Sequence, residues 1–185
     1  MKIHNFFPLS ILHDQINLSD KKKNYLLDEV KDMKNNSKNS NPKPDDRSWT
    51  GDTQGYEFIH KNPKFSDFFL ELVKNKIDIV FANEQEIMSL INTKSFHDVI
   101  SFAKDLKNNI VITRGEEGAI SIKDKEVLEC PAKKNLKIID LTGAGDLFAA
   151  GYLHGIINNM DIKNSLANGT EMSSKVIQQF GARLK

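Results

Sequence analysis

The sequence predicts an α/β fold over residues 65–185: a doubly wound, mainly parallel sheet with helices on both faces, preceded by a poorly ordered N-terminal segment over residues 1–64. Three observations predict it. Short apolar runs suited to buried strands, at residues 77–81, 110–113 and 138–139, alternate with stretches of helical periodicity. Loops carrying Asn, Thr and Gly follow those runs, at residues 83–86, 113–118 and 142–146. In a doubly wound sheet the C-terminal ends of the strands share one edge, so these three loops are expected to converge on one ligand.

Residues 3–11 carry Phe6, Phe7, Pro8 and Leu9, an apolar segment suited to an edge strand, because proline removes a ladder hydrogen bond from a central one. Ser19 and Asp20 are placed to cap a helix over residues 21–33, where Tyr25, Leu26, Val30 and Met33 recur at roughly helical spacing. The polar run of residues 34–46, broken by Pro42 and Pro44, reads as a loop or disordered linker. Residues 65–74 then form an amphipathic helix and residues 77–81 a buried strand. Asn83 is a credible N-cap for the helix after it, and a further helix covers residues 95–106. Residues 110–113 are the next strand, and residues 119–122 and 126–128 form a hairpin about the polar 123–125. Helices over residues 145–158 and 162–180 end the chain, the second stopped by Gly181.

With 185 residues the chain holds one ordinary domain, or one domain and an appendage. A formal net charge of +1 speaks against a nucleic-acid binder, which would carry a basic excess. The single cysteine, Cys130, precludes an intrachain disulfide and points to a reducing compartment. Neither an 18-residue apolar run nor a basic-then-apolar leader is present, so the expected setting is the cytoplasm, without a membrane span.

The chemistry concentrates in residues 137–151. An apolar strand runs into a glycine-bearing turn, and the turn opens a helix whose first residues present unpaired N–H groups and the positive end of the dipole. That arrangement suits an anion. Asp146 is the exception, since a carboxylate there repels phosphate unless it has work to do. Taking a proton from a substrate hydroxyl beside a phosphate in transfer is such work.

Asp140, Thr142, Gly143, Ala144, Gly145, Asp146, Phe148 and Gly151 spell Asp-x-Thr-Gly-Ala-Gly-Asp-x-Phe-x-x-Gly. Asn83 and Glu86 spell Asn-x-x-Glu, and Thr113, Gly115 and Gly118 spell Thr-x-Gly-x-x-Gly. With these three motifs, in this order, the region from Ile77 to Arg183 resembles the C-terminal, ATP-binding part of the ribokinase-like carbohydrate and nucleoside kinases, the PfkB family, with an adenosine-kinase-like character. The resemblance implies an incomplete ribokinase-like fold. It implies that Asp146 is the general base and that the N–H groups of Gly143, Ala144 and Gly145 form the anion hole. Donors aimed at developing charge typically contribute roughly 3–4 kcal/mol each to lowering such a barrier. It also implies that Asn83 and Glu86 position Mg²⁺ through its waters, that Thr113, Gly115, Gly118 and Thr142 contact ATP, and that Asn168 borders the adenine. Each motif has a plainer reading. Thr142 to Asp146 fits an ordinary strand-to-helix turn, Asn83 with Glu86 a helix cap, and Gly115 with Gly118 a hairpin turn.

Asn5 to Leu9 together with Arg47 to Tyr56, which holds the only tryptophan, Trp49, resemble the N-terminal part of an iron(II)/2-oxoglutarate oxygenase family. None of His4, His13, His60, His97 and His154 opens the His-x-Asp or His-x-Glu pair that such iron sites need. The expectation is therefore a chain of two origins: residues 1–64 from elsewhere, and residues 65–185 a kinase nucleotide-binding half without the family's acceptor-recognising strands and lid. Two functions compete. One is ATP-dependent phosphoryl transfer to a sugar or nucleoside hydroxyl, and the other is a non-catalytic nucleotide- or partner-binding remnant. An incomplete sheet would also expose an edge and an apolar face, which favours association into homo-oligomers.

Overall fold

The computed structural model describes residues 2–6, 9–13, 17–37 and 63–184. The chain divides into two compact units, Met1–Phe65 and Ser66–Lys185. In the first, β1 (Lys2–Phe6) and β2 (Leu9–His13) pair antiparallel, Lys2 opposite His13 and Phe6 opposite Leu9. The segment expected as one edge strand is thus two strands of a hairpin. Helix α1 (Asp20–Ser37) runs one turn beyond the expected end, into the polar run; the remainder of that run, and residues 47–56, lie outside the described residues. Leu26 is buried, while Tyr25, Leu27 and Val30 stay exposed.

The second unit is a four-stranded sheet covered on both faces. Its strands are β3 (Ile79–Asn83), β4 (Asn109–Thr113), β5 (Ala119–Lys123) and β6 (Glu126–Cys130), hydrogen-bonded in that order. β3 and β4 are parallel, with Ile79 opposite Asn109 and Asn83 opposite Thr113. The β4–β5 and β5–β6 pairs are antiparallel, so the sheet is mixed. The physical reason is connection length. A parallel pair needs a long crossover, which α3 (Glu84–Leu90) and α4 (Phe96–Lys104) supply between β3 and β4, whereas five residues join β4 to β5 and two join β5 to β6.

Alternation along β4 and β5 sends side chains to two cores. Ile110, Ile112, Ile120 and Ile122 pack with Val73 of α2 (Pro63–Asn75), Ile87 of α3, and Val99 and Ala103 of α4. Val111 and Ala119 face the other way, onto Phe148 and Tyr152 of α5 (Ala144–Ile157) and Leu166 of α6 (Ile162–Val176). The expectation of helices on both faces is met. The α5–α6 crossing is close because both helices offer glycine. A Cβ on Gly151 would lie 2.8 Å from the Asn168 carbonyl oxygen, and one on Gly169 would lie 2.8 Å from that of Phe148.

A buried polar cluster ties α5 to the sheet. Asn109 Nδ2 donates to Tyr152 Oη at 2.6 Å, Ser121 Oγ donates to Asn109 Oδ1 at 2.7 Å, and Ser121 Oγ and Tyr152 Oη lie 3.2 Å apart. All three residues are buried. Removing the phenol oxygen would leave the Asn109 amide without its acceptor in a dry site. Tyr152→Phe is therefore expected to lower stability by about 1–3 kcal/mol, read as a lower urea midpoint with the slope unchanged. An unchanged midpoint would show that the cluster contributes nothing.

Candidate functional site

The turn at residues 140–146 is built by its own residues and by the chain's last ones. Asp140 Oδ1 accepts from the Thr142 N–H at 2.9 Å and from its hydroxyl at 2.7 Å. Asp140 Oδ2 accepts the Gly181 N–H at 2.9 Å. Gly143, the N-cap of α5, has φ of 78°, the left-handed region open to glycine without a Cβ penalty. No side chain caps this helix. The Ala144 N–H bonds to the Leu141 carbonyl at 3.1 Å and the Leu147 N–H to that of Gly143 at 2.9 Å. No acceptor among the described residues takes the N–H groups of Gly145 and Asp146. Of the three donors named for an anion hole, the Gly145 N–H is thus free at the start of the helix, and the Ala144 N–H is taken by the turn. Asp146 sits at the third helical position with its side chain exposed.

The approach to that turn departs from expectation. Residues 138–139 form no strand: the Ile139 and Asp140 N–H groups both go to the Ile177 carbonyl, at 2.8 and 3.3 Å. Ile138 and Leu141 are 56% and 66% exposed, too wet for the buried strand that an apolar run suggested. Helix α6 also stops at Val176, short of the expected end at 180, and the residues beyond it fold back onto Asp140.

The Gly-rich loop after β4 is at once a hairpin connection and a cavity wall. Residues Gly115–Glu117 form a 3₁₀ turn between the antiparallel β4 and β5, and the Arg114 N–H bonds to the Gly118 carbonyl at 2.8 Å. Arg114 binds this loop to the neighbouring one. Its Nε donates to Glu84 Oε2 at 2.8 Å, its terminal nitrogen pairs with Glu117, and its guanidinium lies 4.0 Å from the centre of the Phe96 ring. The sequence reading assigned Arg114 no role, although an arginine between two motif residues was a visible signal. Arg114→Ala is expected to loosen residues 113–118, seen as faster amide exchange there with β5 unchanged; equal rates would count against a bracing role.

Asn83 and Glu86 satisfy each other in a capping box. The Asn83 side chain accepts the Glu86 N–H, and Glu86 Oε2 accepts the Asn83 N–H, both at 2.8 Å. The plainer reading is realised here, and it fixes the orientation of both side chains. Among the described residues no three His, Cys, Asp or Glu side chains cluster as a metal cage would require. The oxygen donors at Asn83 and Glu86 fit a hydrated Mg²⁺ held by few protein contacts.

A cavity of about 720 Å³ joins two of the three loops. Thr113, Gly115 and Gly118 form part of one wall, and Ala144, Gly145 and Phe148 part of another. Residues 132–136, Ile138 and Leu141 close a third side, and Thr170, Ser173, Ser174 and Ile177 of the α6 end a fourth. Lys134, on that third side, has no ion-pair partner among the described residues, whereas Lys133 pairs with Glu171. The lining by residues 132–136 was not legible in sequence, since a polar coil carries no periodic signal. Asn168 is not in the lining: its Nδ2 donates to the Gly151 carbonyl at 2.7 Å, within the α5–α6 crossing. Asn83 and Glu86 stand beside the site at the same sheet edge, where Asn83 pairs with Thr113.

The electrostatics of the turn centre on Asp140. The Gly181 N–H, then the Thr142 N–H and hydroxyl, hold its carboxyl below the usual Asp range, against a weaker opposing effect of burial. A lowered folded-state value means that its contribution to stability is present above the ordinary Asp range and is lost as pH falls through the lowered value. The stability difference between the wild type and Asp140→Asn is accordingly expected to be constant near neutrality and to shrink in acid. A difference that grew in acid would contradict this.

Comparison with known proteins gives a consistent result. A model of the pfkB family of carbohydrate kinases matches residues 26–185. A ribokinase of Lactococcus lactis is 31% identical over 107 residues, 58% of this chain and 34% of that protein. The structure of adenosine kinase from Sinorhizobium meliloti superposes with a TM-score of 0.62 at 32% identity, covering 70% of this chain and 39% of that one. The structure of the nucleoside kinase of Methanocaldococcus jannaschii, an archaeal member of the ribokinase family, superposes with a TM-score of 0.53 at 25% identity, covering 63% and 38%. The chain thus spans well under half the length of each of these relatives, and the unit is a partial ribokinase-like fold. The oxygenase likeness of residues 1–64 finds no support among these matches, and the family match itself begins at residue 26.

Proposed function

This chain belongs to the pfkB family of carbohydrate kinases, and on that premise we propose that it is the nucleotide-binding part of an ATP-dependent phosphotransferase acting on a sugar or nucleoside hydroxyl. The observation that carries the reading is the single cavity bounded by Thr113, Gly115 and Gly118 on one side and by Ala144 and Gly145 on another. Nucleotide phosphates then run from the loop after β4 toward the N-terminus of α5. There the N–H groups of Gly143, Ala144 and Gly145 receive the charge of the transferring phosphoryl group, and Thr142 flanks it. Asp146 accepts the proton of the acceptor hydroxyl as its oxygen bonds the γ-phosphorus of ATP and the bond from that phosphorus to the β,γ-bridging oxygen breaks, ADP leaving with the bonding pair. Mg²⁺, when bound, neutralises phosphate charge, and Asn83 with Glu86 would hold its waters. Asn168, which the resemblance sets beside the adenine, is engaged with the Gly151 carbonyl outside the cavity lining. The cytoplasm, with its reducing chemistry, suits the lone thiol of Cys130.

The test is transfer of phosphate from Mg·ATP to a panel of pentoses, hexoses and nucleosides. Formation of one phosphorylated product is expected, and no product with any acceptor would remove the phosphotransferase reading. The capping box, in which Asn83 and Glu86 satisfy each other, favours a second reading, a nucleotide-binding unit without transfer. Thermal unfolding separates that reading from a dead fold. A nucleotide at about 100 times its Kd should stabilise the chain by roughly 2.7 kcal/mol, and no shift at millimolar Mg·ATP would contradict both readings.

A further inference from the structure

We propose that Arg114 is a positioning residue that locks the loop after β4 to the start of α3, so that the groups placed for phosphate and those placed for a hydrated metal ion keep one spacing. The register of the parallel pair prepares this. Asn83 lies opposite Thr113 at the ends of β3 and β4, so the next residues, Glu84 and Arg114, leave the sheet side by side. Glu84 is the first residue of α3, where a carboxylate also suits the positive end of the helix dipole. Arg114 Nε donates to Glu84 Oε2 at 2.8 Å, and Arg114 Nη2 pairs with Glu117 Oε2. The guanidinium carbon lies over the ring of Phe96, the first residue of α4, at 4.0 Å from its centre. One side chain thus gathers the starts of two helices and the turn of Gly115–Glu117. Arginine suits this task, because its planar fork of donors serves two carboxylates and still offers a face to a ring, whereas a lysine ammonium is a single point charge. The Arg114 side chain is 20% exposed and that of Glu84 33%, so their pair is better shielded than the open surface pairs that contribute little.

The consequence rests on the phosphotransferase reading. In that scheme residues 113–118 hold nucleotide phosphates, and Asn83 with Glu86 hold the waters of Mg²⁺. The spacing of the two loops is then the spacing of phosphate and metal ion, and a misplacement of about 1 Å can cost on the order of 100-fold in rate. Arg114 sets that spacing without touching either group. It also answers charge: of the carboxylates of Glu84, Glu86, Glu116 and Glu117 at this edge, it neutralises those of Glu84 and Glu117, beside the place that a polyphosphate has to approach.

Amide hydrogen exchange of the full chain without nucleotide tests the link, each substitution being read in the opposite loop with β5 as the internal reference. The amides read are those of Asn83 and Glu86, closed by the capping box, and those of Glu117 and Gly118, closed by the turn. Arg114→Ala is expected to accelerate exchange at Asn83 and Glu86, and Glu84→Ala at Glu117 and Gly118, each by about fivefold or more, the low end of a typical coupling between sites. The double variant is expected to go no further than the larger single effect. A merely local brace would keep each effect in its own loop. Wild-type exchange in the opposite loop of either variant would therefore overturn the proposal, as would effects that multiply in the double variant. Should Arg114→Ala fail to fold, Arg114→Lys, which keeps the charge without the fork, carries the same comparison beside Glu84→Ala. Where transfer is measurable, Arg114→Ala and Glu84→Ala are both expected to lower kcat by about tenfold or more. Opposite changes confined to the KM for ATP, as charge alone would give, would overturn the link. Absence of transfer in the wild type would count against the phosphotransferase reading alone, and the exchange result would still judge the link.

Discussion

Asp146→Asn is expected to lower phosphoryl transfer by roughly 10²–10⁴-fold, the range a positioned general base contributes, with nucleotide binding retained. The argument is one of placement. Asp146 lies in the first turn of α5, one residue beyond Gly145, which lines the cavity, and its side chain is exposed and without a hydrogen-bond or ion-pair partner among the described residues. A carboxylate held for structure would show such a partner, as Asp140 and Asp161 do. Asn keeps the shape and an acceptor oxygen but cannot take a proton. The measurement is kcat with saturating Mg·ATP beside calorimetric nucleotide affinity. Unchanged turnover would remove Asp146 as the base, and lost affinity with lost turnover would reassign it to binding.

Gly118→Ala is expected to destabilise the second unit by about 3 kcal/mol or more, the upper end of what a backbone residue forced into a glycine-only conformation costs. Gly118 has φ of 93° and ψ of −132°, and a Cβ there would lie 2.1 Å from the Cys130 carbonyl oxygen and 2.6 Å from the Ala132 backbone nitrogen. Those atoms are backbone, so they cannot swing aside as a side chain would. The loop must move away from β6, and with it the cavity wall formed by Thr113 and Gly115. Chemical denaturation measures the first effect and nucleotide affinity the second. Wild-type stability in Gly118→Ala would mean that the loop is free of β6 in solution. Gly115→Ala makes an informative control, because φ of 57° strains it while nothing lies within 4 Å of its added carbon.

The legible parts of this protein are those where a residue type has few alternatives. Gly143 in a left-handed N-cap and the paired cores behind β4 all follow from local chemistry, and so does the turn after β4. Asn83 with Glu86 was legible in both of its senses, and the capping box is the one seen, since it uses only atoms three residues apart. The illegible parts depend on distant partners. Ile138 and Ile139 look like a strand from their own apolarity, yet the hydrogen bonds of this stretch go to Ile177 instead of a ladder. Asp140 looks like one more motif residue until Gly181 arrives from the other end of the unit. The antiparallel turn of the sheet after β4 was in plain view, because the same residues that suggest a phosphate loop also make a five-residue hairpin connection.

The central claim is that the loop after β4 and the turn before α5 form one nucleotide site. Amide resonances of the full chain followed during titration with a magnesium complex of a non-hydrolysable ATP analogue test it most directly. The predicted result is saturable, coincident shifts at residues 113–118 and 143–146. Shifts confined to one loop, shifts elsewhere, or no shifts at millimolar nucleotide would contradict it.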